Sequence, residues 1–302
     1  MKLKIYFILF ISFAFVSRSV AQELFSKQQI SLHEQWDLDD THSNQSGLFR
    51  VKQYKPLYIL LGNYTSNINE KPQSDNPNNS VPDKMPLKPI ELKFQISFKT
   101  KVFNDLLGAK LGGDIWMGYT QTSRWQLYNR DISRPFRETN YEPEIMYIMP
   151  TSYEICGLKG LFAGIGINHQ SNGRSDPLSR SWNRLIAQVA WESEHLSIIL
   201  KPWLRIQESA ANDNNPGIEN YMGRGELMAA YGKGRHDISL IARHSMHFGK
   251  NNRGSIQIDY ALQIWDNLKF HTQIFHGYGE SMIDYNHKQT TIGFGLSLIE
   301  WR

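Results

Sequence analysis

The chain contains one cysteine, Cys156, so no intrachain disulfide can hold it together. After residue 21 there is no run of 18 apolar residues, which excludes a membrane-spanning helix in the remainder. Basic residues nowhere cluster with interleaved aromatics, so nothing points to a nucleic-acid partner. Internal repeats and signs of a second domain are likewise missing. An excess of either charge is small, because 33 Lys and Arg face 29 Asp and Glu for a net charge of +4. Most of that excess lies at the N-terminus. Lys2 and Lys4 precede an apolar stretch, Ile5 to Val16, broken only by Ser12, and Ser19-Val20-Ala21 offers small residues before a cut ahead of Gln22. Residues 1–21 therefore read as a secretory signal peptide. Without it the basic count falls to 30 against 29 acids, a mature charge of about +1, which removes the argument for an anionic partner.

What is abundant is alternation. Ile90, Leu92, Phe94, Ile96 and Phe98 alternate with Glu91, Lys93, Gln95, Ser97 and Lys99. Further on, Ile256, Ile258, Tyr260, Leu262 and Ile264 alternate with Gln257, Asp259, Ala261 and Gln263. The segments Leu268–Ile274 and Ile292–Leu298 repeat the pattern. Each has one apolar and one polar face over about ten residues, the length of a membrane-spanning strand. A soluble sandwich would also alternate. The export signal, the lack of disulfides, the charged character of the polar face and a last strand ending near Trp301 favour an all-β transmembrane antiparallel barrel. About twelve strands are expected, near 56–62, 90–101, 113–126, 141–149, 162–169, 183–192, 195–207, 221–231, 236–247, 255–265, 267–277 and 289–300. Outer loops would fall near 63–89, 127–140, 170–182, 208–220, 248–254 and 278–288. Inner turns near 193–194, 232–235 and 266 would be very short, and those near 102–112 and 150–161 moderate, the asymmetry of a single-chain outer-membrane barrel. Trp116, Tyr119, Trp125, Trp203, Tyr231, Trp265, Tyr278 and Trp301 are expected in interfacial girdles. Residues 22–55 are polar and weakly patterned, a periplasmic arm or inner plug, and 56–302 form the barrel.

The densest polar run is Gly166 to Arg184. Within it His169 and Ser171 are two apart, so on a strand they share a face, and an imidazole beside a hydroxyl is a general-base and nucleophile arrangement. Asn183 follows and could orient the ring. Parity places His169 and Ser171 at the outer end of the fifth strand and Asn183 at the outer start of the sixth. A slip of one residue would exchange lumen for lipid. The outward alternative sets a reactive hydroxyl at the depth of lipid esters; the inward one leaves the pair in the lumen.

Asn168-His169-Gln170-Ser171-Asn172-Gly173-Arg174-Ser175-Asp176-Pro177, with Ser179-Arg180-Ser181-Trp182-Asn183-Arg184, resembles the signature of outer-membrane phospholipase A. Tyr119 to Ser123, Trp125-Gln126-Leu127, Pro135 to Pro143, Lys201-Pro202-Trp203, Gly277 to Ser281 and Ile283 to Asn286 extend the similarity over most of residues 116–298. The resemblance implies a calcium-dependent lipase in a twelve-stranded barrel, active as a homodimer on the acyl esters of glycerophospholipids in the outer leaflet. It implies Ser171 as nucleophile, His169 as base, Asn183 as the residue holding it, and the Gly173 N–H as an oxyanion donor. Its calcium ligands fall on Ser179 and the Arg174 carbonyl of one subunit and on Ser133 of its neighbour. A further calcium position, an acid in the family, aligns with Asn214, next to Asp213, and so departs from the pattern. Gln121 matches a dimer-face position. His244, His247 and His271 read as lumen or loop residues, and Glu280 with Asp284 as a loop carboxylate pair without a catalytic role. The competing function is a passive porin-like channel.

Overall fold

A computed structural model describes residues 30–38, 47–108 and 112–301, apart from the side chain of Lys250. The expected signal peptide, and residues 22–29 and 39–46 of the expected arm, lie outside them. Twelve strands follow one another: β1 Leu57–Thr65, β2 Ile90–Phe103, β3 Asp114–Trp125, β4 Phe136–Ile155, β5 Leu158–Ser171, β6 Ser181–Glu192, β7 Leu196–Ile206, β8 Gly225–Lys233, β9 His236–His244, β10 Gly254–Trp265, β11 Leu268–Gly277 and β12 Gln289–Ile299. Each pairs antiparallel with the next, and β12 returns to β1 with Phe294 opposite Gly62, so the sheet closes without an edge. Closure is what lipid requires, since it offers no partner to an unpaired backbone group. A two-residue strand, Lys52–Gln53, extends the β1 side and pairs with the far end of β2.

The alternating residues divide as a bilayer demands. Ile165, Ile167 and Leu204 are 61%, 59% and 69% exposed on the outer wall, a surface that water would not tolerate and acyl chains match. The lumen face is polar and packed. Lys201 Nζ donates to Glu144 and to the Tyr54 hydroxyl, both at 3.0 Å. Lys55 and Arg184 share Glu142 at 2.8 and 2.9 Å. His271 lies between Asp259 and Glu300 at 3.1 and 3.0 Å, within the lumen as expected.

Both mouths are covered. At the short-turn end, the helical turn α1, Leu32–Gln35, is fixed by Leu32 N–H donating to Glu192 at 3.0 Å and by Gln35 donating to the Trp301 carbonyl at 3.0 Å. It carries Trp36 into a cluster with Trp116 and Phe162, with ring centroids 5.3 and 5.0 Å apart. Lys99 Nζ sits 3.2 Å from the Trp36 ring centroid, a cation–π contact in a buried setting. At the long-loop end, Met282 and Tyr285 are buried with Trp182, Trp203 and Ile218. Between them a void lined by Lys55, Lys93, Glu142, Arg243, Asp259 and Glu280 measures ≈ 90 Å³, room for a few waters.

Four expectations need correction. The β4–β5 connection is no moderate loop at 150–161. It is a two-residue turn at Cys156-Gly157, with φ +52° and +77°, the left-handed pair of a type I′ hairpin. Pro150 pairs with Phe162 at the edge of a register irregularity, so proline here marks a bulge and not a turn. Tyr221 and Met222, expected to open the eighth strand, belong instead to a helical turn, α2, Glu219–Met222, which buries Ile218 and Met222 in the upper cluster. Trp116, Trp203 and Trp301 are no girdle, because they are 1%, 4% and 8% exposed inside the barrel, whereas Trp265 at 75% suits an interface. Finally, the outer loop expected at 63–89 begins only after Thr65, because 63–65 belong to β1, and it reaches across the outer rim.

Cys156 is exposed at the tip of the β4–β5 turn. A membrane-impermeant maleimide is expected to reach it only from the short-turn side, so labelling of whole cells should appear after permeabilisation and not before. Labelling of intact cells would reverse the orientation of the barrel.

Candidate active site

The strand register that closes the barrel also settles the side of the wall. Ile165 and Ile167 face lipid, and His169 and Ser171 continue the same parity on β5. Asn168 and Gln170, between them, point inward, where Asn168 is fully buried and Gln170 meets the Trp182 indole at 2.9 Å. On β6, Asn183 lies opposite His169 and shares its face with the exposed Leu185. His169 Nδ1 and Asn183 Oδ1 are 2.8 Å apart. An amide oxygen is acceptor only, so the ring donates from Nδ1 and keeps the Nε2 lone pair for a base. Ser171 is half-buried on the same face, two residues on, and its hydroxyl makes no hydrogen bond among the described residues.

Directly after Ser171 the chain enters the loop 172–180, whose shape depends on Asn172. The Asn172 side chain is 2% exposed. Its Oδ1 accepts from Arg180 N–H at 2.9 Å and Arg174 N–H at 3.3 Å, while Nδ2 donates to the Leu178 carbonyl at 2.8 Å and to Glu138 at 3.2 Å. Gly173 sits inside this staple at φ +61°, and a Cβ there would stand 3.0 Å from the Tyr141 ring. Its N–H has no protein acceptor among the described residues, which is the state an oxyanion donor needs.

The oxygen-bearing residues expected around calcium divide into two places. Asn214 Nδ2 donates to Ser179 Oγ at 2.7 Å, and Arg174 lies on the same 172–180 loop. Asp213 is committed elsewhere, to Arg205 at 2.7 Å and the Asn215 N–H at 3.0 Å, so Asn214 and not Asp213 reaches Ser179. Ser133 occupies the β3–β4 loop at φ +59° and shares no hydrogen bond with this group. The oxygens these residues carry are neutral, a set that suits a hard cation held weakly, with the Asn214 amide having to turn its Oδ1 in place of Nδ2 to join it. No cluster of three or more His, Cys, Asp or Glu stands ready for a metal among the described residues.

Three contributors were not singled out from the sequence. Asn172 organises the loop, as above. The 66–89 connection straps the rim: Asn79 Nδ2 donates to Asp176 at 2.7 Å, Arg180 donates to the Asn79 carbonyl at 2.7 Å, and Ser74 and Asn76 donate to the carbonyls of Asn214 and Asp213, both at 2.8 Å. Glu208, two residues beyond β7, accepts from Asn183 Nδ2 at 3.3 Å. Burial raises the Glu208 carboxyl above its usual range, with Asp213 adding to the rise and Arg205 opposing it.

On the outer wall of β3 and β4, beside β5, a polar ladder interrupts the apolar surface. Tyr119 Oη donates to Gln121 Oε1 at 3.0 Å, Gln121 Nε2 donates to Ser123 Oγ at 3.3 Å, and Ser123 meets Thr139 at 3.1 Å. Satisfied polar side chains on a lipid-facing wall are the kind of group that another protein surface would cover.

A family model described as Phospholipase A1 matches residues 32–298. Phospholipase A1 of Proteus vulgaris is 37% identical over 257 residues, covering 83% of this chain and 82% of the relative. Phospholipase A1 of Escherichia coli K12 is 38% identical over 208 residues, 69% of each chain. Among solved structures, outer membrane phospholipase A from Escherichia coli superimposes with a TM-score of 0.73 at 33% identity, covering 84% of this chain and 100% of that one. The Salmonella typhi outer membrane phospholipase, a dimer with bound calcium, gives 0.73 at 33% identity, covering 87% and 95%.

Proposed function

Because the chain belongs to the phospholipase A1 family of outer-membrane β-barrels, we propose that it hydrolyses the sn-1 or sn-2 acyl ester of glycerophospholipids in the outer leaflet. Ser171 is the nucleophile, His169 the base and Asn183 its support. The observation that carries this reading is the outward row Ser171, His169 and Asn183, with its 2.8 Å imidazole–amide bond at the outer end of the wall. Residues 1–21 serve as the export signal, and residues 30–38, held by Glu192 and the Trp301 carbonyl, plug the periplasmic mouth.

The chemistry follows from the positions. His169 Nε2 takes the Ser171 proton as Oγ attacks the ester carbonyl. The Gly173 N–H receives the developing oxyanion. The imidazolium returns its proton to the glycerol oxygen, and a lysophospholipid leaves. Water, deprotonated by the same ring, then splits the acyl-enzyme and releases the fatty acid. Asn183 fixes the tautomer but brings no negative charge to the imidazolium. Ser179, Asn214 and the Arg174 carbonyl would hold calcium, with Ser133 supplied by a second subunit. Calcium, when bound, would supply positive charge that favours the oxyanion. Neutral ligands split between subunits make binding and dimerisation one event, and the polar ladder around Gln121 is the surface we assign to the partner. A solitary barrel then stays silent, which protects the membrane that contains it. The channel alternative fits poorly with a lumen packed by ion pairs and covered at both mouths.

The test is covalent labelling. A long-chain sulfonyl fluoride, offered with and without calcium in detergent micelles, is expected to modify Ser171 alone and only with calcium present, in step with dimer formation. Fatty-acid release without any adduct at Ser171 would overturn the assignment.

A further inference from the structure

Glu208 has no counterpart among the residues assigned above, yet it ends the row that crosses the outer wall. Asn183 on β6 pairs with His169 on β5 and, on its other side, with Ile206 at the end of β7. Glu208 lies two residues past Ile206, on the same face, and its Oε1 is 3.3 Å from Asn183 Nδ2. The two ends of the Asn183 amide therefore meet different groups: the imidazole at Oδ1 and a carboxylate at Nδ2.

That arrangement resolves an ambiguity in any site built on asparagine. An amide can turn over by 180° and present a donor where an acceptor is required. Facing His169 with Nδ2, Asn183 would favour the tautomer protonated at Nε2, which cannot accept the serine proton. An ionised carboxylate accepts and never donates. Placed behind Asn183, it admits only the orientation with Nδ2 toward itself and Oδ1 toward the ring. It also polarises the amide, strengthening the next bond in the chain, and sets a negative charge one residue behind the imidazolium that forms during catalysis.

We propose that Glu208 is a positioning residue of the hydrolytic site, holding Asn183 so that Oδ1 accepts from His169 Nδ1 and the ring keeps Nε2 for Ser171. This rests on the assignment of Ser171, His169 and Asn183 made above. Arg205, Asp213 and His169 are the charged or titratable neighbours of the carboxylate. Its role is served at the pH where it is ionised; once protonated, it could donate and would no longer dictate the amide's orientation.

The experiment is a double-mutant cycle on the full-length protein in mixed micelles with calcium, read with a thioester phosphocholine substrate. Glu208→Ala is expected to lower kcat by about 10- to 100-fold, as loss of an orienting partner does elsewhere, with KM within about twofold. Glu208→Gln keeps an acceptor oxygen for Nδ2 and should retain more of kcat than the alanine variant. In an Asn183→Ala background, Glu208→Ala should cost less than about twofold further, because a residue acting through Asn183 has nothing left to position. An unchanged kcat in Glu208→Ala, or the same fold loss with and without Asn183, overturns the proposal. Should the alanine variant fail to show the heat-modifiable migration of a folded barrel, the near-isosteric glutamine carries the same cycle. Ser171→Ala separates the two layers: a dead Ser171→Ala beside a fully active Glu208→Ala refutes only the positioning role, whereas an active Ser171→Ala refutes the site itself.

Discussion

Ser171→Ala is expected to reduce fatty-acid release from phosphatidylcholine micelles on the order of 10⁵-fold or more, the size of loss seen when a serine nucleophile is removed. The barrel should be untouched. Ser171 is half-buried and its hydroxyl has no hydrogen-bond partner among the described residues, so the change leaves no cavity and no orphaned group. Its effect on stability should stay within about 0.5 kcal/mol. Folding is read by the shift in migration on heating and activity by titration of released acid, so the two effects separate in one preparation. The paired variant His169→Ala should be about as inactive, because a nucleophile and its base, the roles proposed for these two, act as a unit and their losses do not add. Activity within tenfold of the parent in Ser171→Ala would transfer the chemistry to another group and leave the outward row without a purpose.

The second large effect is structural. Glu280 lies in the 278–288 loop over the outer mouth, its carboxylate 1% exposed and bonded to Lys93 at 2.6 Å and Arg124 at 2.5 Å. Burial by itself would push its carboxyl up, but Arg124 and then Lys93 outweigh it and hold it at about 2. Asp284, four residues on, is likewise held at about 2, with burial opposed by Arg137 at 2.8 Å. Glu280→Ala strands two buried cations, which costs about 3–5 kcal/mol when one partner of a buried pair is removed. Equilibrium unfolding in urea with the barrel in lipid vesicles, followed by tryptophan fluorescence, is the measurement. Acid gives a second readout. A carboxylate with a folded value near 2 and an unfolded value of about 4.3 contributes stability that is fully present above the unfolded value. That contribution is lost as pH falls from there through about 2. The parent should therefore lose stability between roughly pH 4 and 2 more steeply than Glu280→Ala. Superimposable acid profiles would show that the mouth is held by its apolar cluster, Met282 and Tyr285 on Trp182 and Trp203.

Much of the barrel was legible because its signal is local. The Ile90–Phe98 segment alternates residue by residue, and β2 runs from Ile90 to Phe103. The same holds for β10 to β12. Legibility failed where a nonlocal partner decided the outcome. Pro150 looked like a turn until its pairing across to Phe162 made it part of a long hairpin. Tyr221 and Met222 were expected to open the eighth strand, yet burying Ile218 and Met222 under the outer loops favoured a helical turn. Trp116, Trp203 and Trp301 looked interfacial because aromatics near strand ends usually are. They turned inward because α1 for Trp116, the outer loops for Trp203, and Met228 and Ala230 of β8 for Trp301 supply apolar surroundings within an otherwise polar lumen.

For the site, residue types and order were written in the chain. His169 precedes Ser171 by two, and that spacing alone places them on one face of a strand. Which face it is, and which groups stand behind them, was not. Period-two alternation is unchanged by reversing inside and outside, so only closure of all twelve strands, with Ile165 and Ile167 on the exterior, put the pair against lipid. Glu208 stands 25 residues from Asn183, and Asn79 about a hundred from Ser179. Such contacts follow from strand register and loop packing, which no local window encodes. The sequence by itself determined the strands, their alternation and the polar run to which we assign the chemistry, since these depend on neighbours along the chain. The tertiary structure decided the direction of each face, the contents of the lumen and the groups gathered at the rim, since these depend on neighbours in space.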